Sequence, residues 1–309
     1  MDHSCHDQEW QLWDNQDRVI GGIAMESMLE EARPSRTALG VAIRRASHQL
    51  YDSQPLVLED PIAVQILGES YRRALEEAAT SLHERSSRGL RAWAVARNRY
   101  AEDKLAQAVS QEVQQYVLLG AGLDTFAHRN PHSNLRVFEV DHPATQQWKR
   151  KLLISSGLQE SPNLQFVPVD FERQSLAGQL ESSGLDFTAP TVFAWLGVVI
   201  YLTYPAFHST LDFIATFPAG SGFIMDYSYP RHALQPDELE ARDALAARVQ
   251  SIGEPFQLFF KPEEIAAELT AFKTIENLSP TDLNARYFAD RTDRLNLGGR
   301  SGGILSAWR

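Results

Sequence analysis

From Tyr116 to Thr125 the chain reads Tyr-Val-Leu-Leu-Gly-Ala-Gly-Leu-Asp-Thr, an apolar run that passes straight into a turn with glycine at 120 and 122. A short apolar run without polar alternation is the pattern of a strand covered on both faces, as in a parallel sheet. Glycine directly after such a strand supplies positive φ and lets the main chain approach a ligand closely. In open α/β sheets ligands sit beyond the carboxyl ends of the strands. The simpler alternative is a tight strand-to-helix turn with no ligand.

What surrounds this segment favours the sheet. Short apolar runs recur at Arg136–Val140, Leu164–Val169, Thr191–Leu196 and Gly222–Met225, and helical stretches such as Pro143–Ser155 and Tyr204–Phe217 fill the gaps. That alternation predicts βα units in a mostly parallel sheet. Asp237–Gln250 and Pro262–Leu269 read as further helices, and Phe272–Glu276 with Leu305–Trp308 as late strands that are often antiparallel. The chain before about Gln115 is helical in pattern. Ala38, Val41, Ala42 and Ala46 recur at helical spacing, and Asp60-Pro61 has the N-cap and first-turn proline of a helix start. Leu90–Val109 forms a long helix with Trp93, Ala96, Tyr100 and Leu105 near one face. The expected organisation is a helical cap or lid over residues 1–115 and a Rossmann-like α/β core of about seven strands over 116–309, as one structural unit.

Three successive strand ends carry the chemistry. After the glycine turn, the next strand ends Val137-Phe-Glu139-Val-Asp141, with two carboxylates on one face. Asp141 follows Gly120 by about 20 residues, the separation at which an acid holds the ribose hydroxyls of a nucleotide-type cofactor. The third ends Val169-Asp170-Phe171, where an acid can accept from an adenine amino group beside an aromatic ring; helix capping by Asp170 is an equal alternative. A dinucleotide fingerprint requires a third glycine where Thr125 stands, and the charge of Asp124 opposes a pyrophosphate. S-adenosyl-L-methionine, with an adenosine, a sulfonium and an amino-acid tail but no phosphate, suits these residues better. The competing enzyme reading is an NAD(P)-dependent oxidoreductase on a related sheet.

Composition narrows the partners. A formal charge of −11, with no basic run longer than Lys149-Arg150-Lys151, argues against nucleic acid. The longest apolar run, Val192–Leu202, is too short to cross a bilayer, so no membrane partner is expected. The single cysteine, Cys5, excludes an internal disulfide framework and fits the cytoplasm; His3, Cys5 and His6 read as a polar terminus without the second cluster that a metal site needs. No metal is expected, and the sequence leaves the oligomeric state open.

These motifs together resemble the leucine carboxyl methyltransferase-like family of class I methyltransferases, especially its bacterial branch, which includes polyketide carboxyl methyltransferases. The resemblance runs from about Arg36 to Arg309. It rests on Arg36-Thr-Ala-Leu-Gly, Glu59-Asp-Pro-Ile-Ala63, Ala96-Arg97-Asn-Arg99-Tyr, Leu119-Gly-Ala-Gly-Leu-Asp-Thr125, Phe138-Glu-Val-Asp141, Val169-Asp-Phe171, Trp195-Leu-Gly-Val-Val-Ile-Tyr201-Leu and Met225-Asp-Tyr227. It implies that Gly120 and Gly122 line the methionine part of S-adenosyl-L-methionine and that Asp141, with Glu139 near, holds its ribose. Asp170 and Phe171 would contact adenine, and Arg97 would pair with the cofactor carboxylate. Tyr201 matches a family tyrosine near the acceptor. Where eukaryotic members carry a Glu, this chain has Leu196.

Methyl transfer from a sulfonium is an in-line displacement, leaving S-adenosyl-L-homocysteine. A carboxylate acceptor is already ionised at neutral pH and requires no base, so positioning dominates catalysis. A basic residue over the pocket would orient a small-molecule acceptor. Arg44 or Arg45 of the cap can serve, and Arg45 is taken as the candidate beside Tyr201. A phenol or alcohol acceptor would require a base, and His128, His142 and His208 lie near strand ends. A protein that keeps the site as a sensor without turnover is the non-enzymatic alternative.

Overall fold

A computed structural model describes residues 35–170, 174–251 and 253–309. Four α-helices lead: α1 (Arg36–Tyr51), α2 (Pro61–Leu67), α3 (Arg72–Thr80) and α4 (Arg85–Val109). Then come β1 (Gln115–Leu119), α5 (Phe126–Arg129), β2 (Arg136–Asp141), α6 (Pro143–Ser155), β3 (Leu164–Pro168), α7 (Leu176–Ser182), β4 (Thr191–Trp195), α8 (Tyr204–Ile214) and β5 (Gly222–Ser228). The chain closes with α9 (Pro236–Ser251), α10 (Pro262–Glu268), β6 (Thr274–Leu278), α11 (Pro280–Tyr287) and β7 (Gly302–Trp308).

The strands form one seven-stranded sheet in the order β3-β2-β1-β4-β5-β7-β6. β1 to β5 are parallel, and β7 inserts antiparallel between β5 and β6. This is the α/β Rossmann-like architecture expected. Chain order reverses beside β1, between β1 and β4, which opens a crevice at their carboxyl ends.

Alternation along each strand divides the core. Val117, Leu119, Phe138, Phe193, Trp195 and Met225 pack on one face with Phe207, Leu211 and Ile214 of α8. Tyr116, Leu118, Val192, Ala194 and Ile224 pack on the other with Val95, Ala96, Tyr100 and Leu105 of α4. Each fully buried side chain of this size contributes roughly 1.5–3 kcal/mol. α4 is thus tied by its packing to the sheet, whereas α1, α2 and α3 form their own cluster against Leu123, Leu152 and Phe166. Asp60 caps α2 as its sequence predicts, accepting from the Ala63 amide with Pro61 in the first turn.

Three strands differ from expectation by two or more residues, and β5 continues three residues past Met225 to Ser228, paired with β7 throughout. β7 begins at Gly302, three residues before Leu305, because a Cβ at Gly302 would lie 2.4 Å from the Tyr227 carbonyl oxygen: the glycines are there for close approach, not to break the strand. β6 occupies Thr274–Leu278 instead of Phe272–Glu276; Phe272 is drawn out of the strand into the core against Phe223.

Candidate active site

The glycine turn sits at the mouth of the crevice. Gly120 and Ala121 donate to the Val140 carbonyl at 2.8 and 3.1 Å, which ties the turn to β2. Gly120 and Gly122 have φ of +68° and +52°, the left-handed region that only glycine enters freely. Neither has room for a side chain. A Cβ at 120 would come within 2.4 Å of Val198, and one at 122 within 3.0 Å of the Ala38 Cβ on α1. The first turn of α1 therefore lies directly over the glycine turn.

Asp141 ends β2 beside that turn. Its Oδ2 accepts from the Gly122 amide at 2.6 Å and its Oδ1 from the His142 amide at 2.7 Å. Burial pushes its carboxyl up, while these amides and Lys149 favour the charged form. The Thr145 side chain is a third hydrogen-bond partner, and of about four lone-pair sites at least one remains for a hydroxyl.

Glu139 lies two residues below on the same face and is fully buried. Lys149 Nζ meets its Oε2 at 2.5 Å and also donates to the Asp124 carbonyl. Burial pushes the Glu139 carboxyl up to about 7 against the pull of Lys149. The structure thus places Glu139 in an ion pair beneath the turn, not on the crevice surface beside Asp141. Asp170 is half-buried two residues past β3, its amide donating to the Gln174 side chain at 3.0 Å. It does not cap the next helix, because Ser175 accepts from Gly178 in that role. Phe171 lies outside the described residues, as do His3, Cys5 and His6.

The β4 and β5 ends bring together a second group that was only partly legible. Arg97 of α4 lays its guanidinium over Gly197, where a Cβ would be 2.7 Å from both terminal nitrogens; Gly197 has φ of +71°. Its partner is Asp226 of β5. One Asp226 oxygen accepts from Arg97 Nη1 at 3.1 Å and Trp93 Nε1 at 3.1 Å, the other from the Gly197 amide at 2.5 Å. Among the described residues Arg97 Nε has no hydrogen-bond partner. Asp226, Gly197 and Trp93 escaped the sequence reading, although Met225-Asp-Tyr227 offers the same signal as the other acid-tipped strands.

Tyr201 stands on a short helical turn after β4, its ring 5.5 Å from Phe256 and its hydroxyl bonded to Thr37 of α1. Burial, with the nearby charge of Glu254, pushes that hydroxyl up to about 12. It is therefore a neutral donor at physiological pH, not a base. Arg44 faces Tyr201 and Arg97; loss of hydration and the Arg97 charge bring it down to about 10.

Arg45 requires a correction. It does not reach this cleft. It is buried beneath the glycine turn, with Nη2 on the Leu123 carbonyl at 2.5 Å, Nε 3.2 Å from Asp60 and Nη1 3.3 Å from Asp124. Successive helical residues are rotated by about 100°, so Arg44 takes the cleft side and Arg45 the core side. The histidines also serve elsewhere. His128 is half-buried with both ring nitrogens unpartnered among the described residues and its pKa lowered to about 4 by burial, His142 caps α6, and His208 pairs with Glu268.

The sequence pattern of the leucine carboxyl methyltransferase family matches residues 38–215, from the helix over the glycine turn to the end of α8. The chain belongs to the leucine carboxyl methyltransferase family. It is an S-adenosyl-L-methionine-dependent methyltransferase, and the oxidoreductase alternative falls with that membership. A Bacillus subtilis protein described as a "putative S-adenosyl-L-methionine-dependent methyltransferase" is 32% identical over 287 residues, 85% of this chain and 94% of that one. A protein of the same description from Mycobacteroides abscessus is 34% identical over 167 residues, about half of each chain. A solved "putative methyltransferase" from Thermobifida fusca shares the fold over 93% of this chain and 99% of its own, with a TM-score of 0.56 at 18% identity.

Proposed function

We propose that the protein transfers the methyl group of S-adenosyl-L-methionine to a carboxylate oxygen of a small molecule. The observation that carries this reading is the cationic character of the cleft: two arginines beside a protonated tyrosine, with the Glu254 carboxylate near Tyr201 as the group that a hydroxyl acceptor would need for its base. The donor's fit rests on the turn crowded against Val198 and Ala38, on the acceptor capacity left on Asp141, and on Arg97 Nε, unpartnered among the described residues at the far end of the crevice.

Each group then has a role. Gly120 and Gly122 admit the donor against bare main chain. Asp141 accepts from its ribose, and Asp170 lies along the adenine side. Arg97, set by Asp226, meets the negative end of the amino-acid tail through a charge-assisted contact of roughly 1.5–3 kcal/mol. S-adenosyl-L-methionine supplies a methyl group on a positively charged sulfur. The acceptor oxygen, held by cationic side chains and the Tyr201 hydroxyl, attacks that carbon as the carbon–sulfur bond breaks toward sulfur. No proton moves, so no general base is required. Orientation of the two reactants supplies up to roughly 7–11 kcal/mol of the barrier reduction.

The test is incubation with S-adenosyl-L-methionine and a panel of small carboxylic acids, reading S-adenosyl-L-homocysteine and methylated product by mass spectrometry. A carboxyl ester hydrolyses in mild alkali and releases methanol. An alkali-stable product moves the reading to a hydroxyl or nitrogen acceptor. Cofactor binding without turnover on any acceptor supports the sensor alternative.

A further inference from the structure

The cleft holds two guanidinium groups, Arg97 paired with Asp226, and Arg44, with the Glu254 carboxylate near Tyr201. Asp226 is committed on both oxygens to Arg97, Trp93 and the Gly197 amide, so Arg97 and Asp226 form a matched pair. Arg44 has no such partner: among the described residues it makes neither a hydrogen bond nor an ion pair. The register of α1 fixes where it faces. Thr37, Val41 and Arg44 recur at helical spacing and are all half-buried, a stripe that runs along the cleft beside the fully packed Ala42, Arg45 and Ala46. Thr37 begins that stripe at the Tyr201 hydroxyl. Ala38 marks where α1 touches the glycine turn, and Arg44 lies about 9 Å further along the helix axis, away from Gly122 and within the field of Arg97.

We propose that Arg44 receives the carboxylate of the methyl acceptor, leaving Arg97 and Asp226 to shape the donor end of the cleft. This rests on the reading of the cleft as a carboxyl methyltransferase site. An arginine without a counterion is a ready partner for a planar carboxylate, which it can hold through two parallel hydrogen bonds. An acceptor anion also removes the repulsion between Arg44 and Arg97 that the cleft otherwise carries. Glu254, near Tyr201 with one buried oxygen unpartnered, disfavours an anion on its own side and leaves Arg44 as the anchor.

The experiment uses the full chain saturated with S-adenosyl-L-homocysteine and 4-fluorophenylacetate as a carboxylate probe, followed by fluorine NMR, with 4-fluorophenylacetamide as the uncharged control. The carboxylate should bind the wild type, and its Kd should rise at least tenfold in Arg44→Gln, equivalent to about 1.4 kcal/mol. Arg44→Lys, which keeps charge without the fork, should recover part of the loss and guards against a folding defect in the first variant. Both variants should bind S-adenosyl-L-homocysteine within threefold of wild type by calorimetry. Equal probe affinity in wild type and Arg44→Gln, equal binding of the amide, or no binding of the carboxylate at about 20 mM overturns the proposal. A tenfold loss of S-adenosyl-L-homocysteine affinity in Arg44→Gln assigns the residue to the donor and overturns it as well. If the wild type fails to bind S-adenosyl-L-homocysteine, the parent reading falls first, before any probe is added.

Discussion

Replacing Asp226 by Asn keeps the shape of the side chain and removes its charge. The carboxylate accepts three hydrogen bonds, from Arg97 and Trp93 on one oxygen and the Gly197 amide on the other. A carboxamide retains one acceptor oxygen and turns its NH2 toward donors on the opposite side, so at least one contact becomes donor against donor. The guanidinium also loses its one counterion among the described residues while its side chain is 11% exposed. Hydrogen bonds to charged groups contribute roughly 1.5–3 kcal/mol, and stripping the partner from a fully buried charge costs roughly 3–5 kcal/mol. Because the pair is a tenth exposed and opens on a cleft, we place the loss at about 2–4 kcal/mol, or a fall in Tm of roughly 3–6 °C for a chain of this size. Urea denaturation with and without saturating S-adenosyl-L-homocysteine measures it. The ligand carboxylate restores the missing charge beside Arg97, so the ligand-induced rise in stability should be larger in Asp226→Asn than in wild type. A free-energy change below about 0.5 kcal/mol would mean that the contact is incidental. A ligand-induced rise no larger than that of wild type would remove Arg97 from the donor's tail.

The buried pair Glu139–Lys149 should behave as a unit. Glu139→Leu and Lys149→Met should each destabilise by about 3–5 kcal/mol, and the double variant by much less than their sum, in a urea-melt cycle. Glu139 also imposes a pH slope. Its folded pKa of about 7 stands above the ordinary value of 4.5, so the folded state binds the proton more tightly and stability falls as pH rises from about 4.5 to 7; Glu139→Gln should flatten that slope in denaturation midpoints taken across the range. Gly122→Ala forces a side chain into positive φ against Ala38 and should weaken S-adenosyl-L-homocysteine binding at least tenfold by calorimetry, whereas unchanged affinity would place the donor elsewhere. Arg45→Met should lower stability by about 2–4 kcal/mol in a urea melt, since Asp60 and Asp124 stay buried with less positive charge.

The order of elements was legible because each one obeys a local rule. The parallel strands are unbroken apolar runs, and α2 and α6 announce themselves by a capping side chain followed by proline. The late strands were misplaced where tertiary contacts override the local signal. Gly302 and Gly303 read as a breaker, yet they occupy a strand because the neighbouring main chain and the Tyr227 ring come too close for any Cβ. The glycine turn and Asp141 were readable for a similar reason, since their spacing along the chain fixes their spacing on the sheet. Glu139 had the same strand parity as Asp141, but parity says nothing of depth. Two residues separate an acid at the rim from one sealed beneath it with Lys149.

The two adjacent arginines of α1 mark the limit more sharply. Composition, charge and helical propensity are the same for Arg44 and Arg45, and only the rotation of the helix about its axis separates them. That rotation is set by contacts from three distant segments: Ala38 on Gly122, Thr37 on Tyr201, and the carboxylates Asp60 and Asp124 that draw Arg45 inward. The buried acids thus act on the cleft without lining it. By consuming Arg45 they hold α1 over the glycine turn, and by fixing its rotation they leave Arg44 as the cation beside Tyr201, without a counterion among the described residues. Asp226 does the same for Arg97 from the other wall. The chemistry of the cleft is therefore decided by which guanidinium each buried carboxylate neutralises, a pairing that exists only once the helices are packed.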